Sequence, residues 1–158
     1  MVRMHVMLRS MKEEALTSVH HCACWRLKAA ARKITRQYDE ALKPVGLKAT
    51  QFSLLSMIMG IEPNSFTRLA DEIGMDRTAL NRALNIMVKH DWVRISSSSD
   101  TLEKKIRITE NGKSKLDEAI PLWRKAQKQF IESTGPESWE ASRDWLINVA
   151  GGNTYDSV

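Results

Sequence analysis

The stretch from Leu69 to Val93, LADEIGMDRTALNRALNIMVKHDWV, leaves this chain few choices of fold. From Leu80 the apolar residues Leu84, Met87 and Val88 return at helical spacing, so one side of the segment Asp76 to His90 is expected to face a core. The other side is polar and basic. Arg77, Thr78, Asn81, Arg82, Asn85 and Lys89 fall on neighbouring turns and are of the types that reach base edges and phosphates. A shorter helix precedes it, with Thr67 expected as its N-cap, Leu69, Ala70 and Ile73 apolar, and Gly74 closing it; Arg68 adds a cation there. Two helices across a glycine turn make a helix-turn-helix pattern, although a plain surface hairpin with a solvated face would carry the same stripe.

The residues C-terminal to this segment favour the helix-turn-helix. Val93 and Ile95 alternate in Trp92-Val-Arg-Ile95, as do Ile106 and Ile108 in Lys104-Lys-Ile-Arg-Ile108. Two short strands are therefore expected around a polar loop, Ser96 to Asp100, which is the layout of a wing. Lys104 and Lys105 are expected to supply phosphate contacts there.

Charge supports an anionic partner. The chain of 158 residues has a net charge of +5. Residues 23–48 carry seven Lys/Arg against two acids, residues 64–115 ten against seven, and residues 116–158 four against seven. The basic excess thus lies in the first two thirds of the chain, where it would attract nucleic acid weakly to the middle, and the tail is acidic. The longest apolar run, Phe52 to Ile61, is too short to cross a bilayer, so no membrane partner is expected. No secretory leader is read in MVRMHVMLRSM, and Met11 is an alternative start, so Cys22 and Cys24 are expected as reduced thiols in a cytoplasmic protein.

The flanks are helical. Residues 12–43 read as one helix without Pro or Gly, about 45 Å long at roughly 1.5 Å per residue, stopped by Pro44 and Gly46. A largely buried helix is expected over Gln51 to Ile61, then a turn at Glu62 to Ser65. After the wing, Thr109 should cap a helix running to about Ser133, kinked at Pro121, and Gly135-Pro136 should separate it from a last helix over Glu137 to Ala150, before a frayed tail. The expected fold is mainly α with a small β-wing: a single domain over 1–158, a winged helix-turn-helix lobe at 48–109, and long flanking helices at 12–43 and 110–150. Helical arms longer than one small core can cover imply pairing with a second copy, a homodimer.

The series CxCWRLKAAARKITRQYDEALKPVGLKATQFSLL, then LADEIGMDRTALNRAL, then a wing ending in RITENG, resembles the MarR family of bacterial transcriptional regulators over residues 20–150. The resemblance implies a homodimer whose winged helix-turn-helix enters double-stranded DNA, usually as a repressor. It also implies release by a small, often aromatic effector, in a crevice to which Tyr38, Phe52, Leu55 and Met59 would contribute. Two positions depart from the family pattern. Leu102 stands where a wing arginine, two residues after Asp100, would enter the minor groove. Aligned with the organic hydroperoxide regulators, Cys24 falls at their reactive cysteine and Tyr38 at one of two tyrosines that bond it, but the other tyrosine position is Ala49.

An oxidant sensor acting through Cys24 is thus the alternative within the family. Fourteen residues of one helix put Cys24 and Tyr38 about 21 Å apart, so they would meet only across a dimer. A small, buried core cysteine is the simpler expectation. His20, His21, Cys22 and Cys24 supply too few ligands for a closed zinc site, and no second Cys/His pair accompanies them. No phosphate loop, nucleophile elbow or paired acid motif is present, so neither a cofactor nor an enzymatic activity is expected. A winged-helix binding protein that does not recognise an operator is the remaining class, motivated by Leu102.

Overall fold

In the computed structural model the described residues are 2–61, 66–97 and 104–151. The expected turn at Glu62 to Ser65, the wing loop with Asp100 and Leu102, and the tail beyond Gly151 lie outside them. The chain divides into two compact units, residues 1–37 and 38–158.

The first unit is helical, but not as one helix over 12–43. Helix α1 spans Val2–His21 and α2 spans Ala23–Leu42, with Cys22 between them. Two bonds accompany the interruption. The Cys22 amide bonds the Val19 carbonyl at 3.2 Å, a step of three residues, and the Arg26 guanidinium Nε donates to the His20 carbonyl at 2.8 Å. That carbonyl is one a regular ladder would give to the amide four residues on.

The second unit starts with the last turn of α2. Leu42 is enclosed, Pro44 sets a 3-10 turn over Lys43–Val45, and Gly46 takes the left-handed conformation (φ 69°) that redirects the chain. Helix α3, Ala49–Ile61, is tied at its start by Asp39, whose carboxylate accepts the Ala49 amide at 2.8 Å. Its buried Phe52, Leu54, Leu55 and Ile58 form the centre of the core.

Helix α4 covers Phe66–Ile73, so Thr67 lies inside its first turn and is not its cap. The Thr67 hydroxyl instead accepts a bond from Arg77 Nη2 at 3.1 Å, fastening α4 to the start of the next helix. Gly74 (φ 67°) ends α4, and the Met75 amide returns to the Ala70 carbonyl at 3.0 Å. Helix α5, Arg77–Lys89, is capped by the Asp76 carboxylate, which accepts the Ala79 amide at 2.8 Å. Strands β1 (Val93–Ser97) and β2 (Lys104–Ile108) pair antiparallel with Val93 opposite Ile108 and Ile95 opposite Ile106. Helix α6, Glu110–Thr134, runs on through Pro121, whose ring faces outward. Gly135 (φ 88°) then turns the chain into α7, Pro136–Val149.

One joint connects the wing to α6. The Thr109 amide donates to the Trp92 carbonyl at 3.0 Å, its hydroxyl donates to the Asp91 carbonyl, and its oxygen accepts the Gly112 amide at 3.0 Å. Asn111 Nδ2 adds a bond to the His90 carbonyl at 3.0 Å. The first turn of α6 therefore lies directly on the backbone that leaves α5. A Cβ on Gly112 would stand 2.1 Å from the Trp92 carbonyl oxygen, where no shift of a side chain can make room.

Gly112→Ala is expected to cost about 3 kcal/mol in denaturant unfolding, because backbone must move. Gly60→Ala, with nothing within 4 Å of the added methyl, should instead stabilise by about 0.5–1 kcal/mol through its helix propensity.

Candidate nucleic-acid interface

On a helix turning about 100° per residue, Arg77, Asn81, Asn85, Thr78, Lys89 and Arg82 span an arc of about 140°, while Ala83, Met87, Leu80 and Leu84 fill the opposite side. The structure follows this division. Leu80, Leu84 and Met87 are fully enclosed, and all six polar residues are exposed. Val88, expected in the apolar stripe, is 41% exposed. It lies one step beyond the stripe's edge, within the polar arc.

No acidic residue occurs between Arg77 and Lys89, so the exposed arc combines three cations with neutral hydrogen-bonding groups. Its N-terminal end is the better fixed. Asp76 caps it, and the bond from Arg77 to Thr67 holds it against α4. Arg68 lies on exposed α4 surface with Glu72 3.9 Å away. At the other end, the His90 ring stacks on Trp92 at 4.5 Å between centroids, next to the joint with α6.

The β ribbon divides its residues in the same way. Val93 and Ile106 are buried and Ile95 and Ile108 half-buried, leaving Arg94, Ser96, Lys105 and Arg107 exposed. Lys105 was expected at this surface. Lys104 pairs with Ser97, and its side chain lies outside what is described. Arg94 and Arg107 were not singled out from sequence, although the two-residue alternation of the apolar positions assigns them to the outer face.

The residues expected to line an effector crevice differ in setting. Leu55 is fully enclosed, Phe52 is buried and stacked on Trp123 at 5.6 Å, and Met59 is 49% exposed. Tyr38 is half-buried, and its hydroxyl bonds Gln127 Oε1 of α6. Burial pushes the Tyr38 phenol above its ordinary pKa, so it is a neutral donor at physiological pH. Trp123 and Gln127 were missed; their i, i+4 spacing places them on one face of α6.

Cys22 and Cys24 are both exposed, in contrast to the expected core cysteine. Nearby in the chain, Arg26 lies over the Trp25 ring at 5.5 Å, and His20 meets that ring edge-on at 5.9 Å. Among the described residues, no group of three His, Cys, Asp or Glu side chains is placed to hold a metal, and no helix is long and apolar enough to cross a membrane.

Comparison with known proteins agrees with this geometry. The transcriptional regulator MosR of M. tuberculosis, crystallised in complex with DNA, is 37% identical, with 82% of this chain and 94% of that one aligned at a TM-score of 0.75. The HTH-type transcriptional regulator YwoH of Bacillus subtilis is 22% identical over 116 residues, 73% of this chain and 85% of its own. CouR from Rhodococcus jostii RHA1, crystallised with p-coumaroyl-CoA, shares the fold at 18% identity and a TM-score of 0.69, over 89% of this chain and 96% of that one. The MarR family profile matches residues 45–101, the segment that holds α3, α4, α5 and β1. Given that match and the MosR relationship, this chain belongs to the MarR family of DNA-binding, winged helix-turn-helix transcriptional regulators.

Proposed function

We propose that this regulator is a cytoplasmic homodimer that represses transcription by reading operator DNA with the exposed arc of α5, and that a small aromatic effector releases it. The acid-free arc carries this reading. Arg77, Asn81 and Arg82 sit on the end that Asp76 and Thr67 hold in place, suited to base edges in a major groove. Thr78, Asn85 and Lys89 extend the arc, and Arg68, Lys104 and Lys105 are assigned to phosphates. Exposed apolar residues on α7, Trp145, Leu146 and Val149, supply the kind of surface a second copy would cover.

Arg82→Ala is expected to weaken operator binding by about 1–3 kcal/mol in a titration at fixed salt, with an unchanged circular dichroism spectrum. Wild-type affinity in a folded Arg82→Ala protein would remove α5 from the interface.

For the effector, Tyr38 and Gln127 offer a polar pair beside the Phe52–Trp123 stack, an apolar surface with few hydrogen-bonding groups. That CouR was crystallised with p-coumaroyl-CoA is in keeping with an aromatic effector. Calorimetry with a panel of aromatic carboxylates should find a compound that binds and lowers operator affinity. Binding with no effect on DNA would break the coupling, since linkage is reciprocal.

The exposure of both thiols beside a helix interruption favours one further reading, oxidant sensing through Cys24. Wild type and Cys24→Ser should lose operator binding equally, or not at all, under peroxide if the effector alone controls the protein. A reversible loss confined to wild type would assign control to the thiol.

A further inference from the structure

We propose that the outward face of the wing's base is an oxyanion site in which Arg94 and Arg107 grip a phosphate group. The two arginines are direct cross-strand partners on the β1–β2 ribbon. Facing residues of an antiparallel pair hold their Cβ atoms about 5 Å apart, and like charges so placed repel. A guanidinium cannot relieve the repulsion by losing its proton. An anion shared between the two does relieve it, and a pair of planar forks suits the oxygens of a phosphate.

The surroundings favour the same ligand. The next outward rung pairs Ser96 with Lys105, so the exposed face of both strands bears three cations and a hydroxyl and no acid. An open cleft of about 500 Å³ lies against this face, lined by Arg94, Ser96 and Arg107 from the ribbon and by Asp91, Thr109 and Asn111 from its base. Its floor is built: the bonds from Thr109 to the Asp91 carbonyl and from Asn111 to the His90 carbonyl hold the turn, with Asp91 at a φ of 53°. Two acids stand at the rim; one is paired outside the site and the other touches Arg94 itself. Glu110 is paired with Lys113 at 2.7 Å, and Asp91 stands 3.8 Å from Arg94, both groups being largely exposed and the contact weak. Among the described residues no acid pairs with Arg107.

The phosphate has two sources, the backbone of bound DNA or a phosphorylated small molecule. Either would act at a junction where the end of α5, the wing and the start of α6 meet. The DNA case rests on the function proposed above; the small-molecule case does not.

The test uses the full chain, wild type and the variants Arg94→Gln, Arg107→Gln and Arg107→Lys. Thermal melting should show no loss of stability in the Gln variants, since each removes a like-charge neighbour. Arg107→Lys keeps the charge without the fork, and so reports on binding geometry in a protein with the native charge. Inorganic pyrophosphate is titrated calorimetrically without DNA, and operator affinity is measured against salt, with Arg82→Ala as the reference. Binding of pyrophosphate that weakens at least tenfold in Arg107→Gln and measurably in Arg107→Lys supports the site and identifies a free ligand. Absence of pyrophosphate binding, with a salt slope reduced by about one in each Gln variant, supports it and identifies backbone phosphate. Equal behaviour of wild type and all three variants in both measurements overturns the site; if Arg82→Ala still weakens operator binding, DNA reading by α5 stands without it. Should wild type not bind its operator, that reading fails, and the pyrophosphate titration alone decides the site.

Discussion

The close approach of Gly112 to the Trp92 carbonyl governs how α5 and the wing are carried on α6. Because no Cβ intervenes, the first turn of α6 rests on the backbone that leaves α5, and Thr109 satisfies three hydrogen bonds at that point. Helix α5, the wing and α6 thus share one joint. Any displacement of α6 must be passed to the end of α5 or break several bonds at once. Such a joint would carry the coupling that the proposed effector release requires.

The polar arc of α5 depends on a second kind of constraint. Its buried side is held by the α3 core, and its N-terminal amides are satisfied by Asp76, a cap worth about 1 kcal/mol. Arg77 is partly spent on Thr67, so it works as a tether as well as a charge. Arg82 and Asn81 are exposed and, among the described residues, have no such tie, which suits them to the base contacts proposed. Positive charge continues onto the ribbon through Lys105, Arg107 and Arg94, where the spacing is set by strand alternation and not by helical turns.

Much of the architecture was legible in the residues themselves. The 3.6-residue rhythm of α5, the glycine at 74, the cap at Thr109, the period-two strands and the Gly135-Pro136 break are local signals, and each element forms where its signal lies. Errors arose where a local signal was ambiguous by one step. Thr67 is a good capping residue, but α4 begins before it. Val88 is apolar, but its position on the turn places it outside the stripe. Residues 12–43 contain no helix breaker, yet the helix is interrupted at Cys22, where the Arg26 side chain takes the carbonyl of His20, six residues back.

By itself the sequence determined the winged helix-turn-helix, its family, and the sign of charge on α5, because periodicity, caps and charge are properties of neighbouring residues. Tertiary structure alone decided which residues share a site. It joined Tyr38 to Gln127 across 89 positions, stacked Phe52 on Trp123, left both cysteines exposed, and set Arg94 against Arg107 with a cleft beside them. These outcomes are fixed by how helices and strands pack and pair, which periodicity along the chain does not specify.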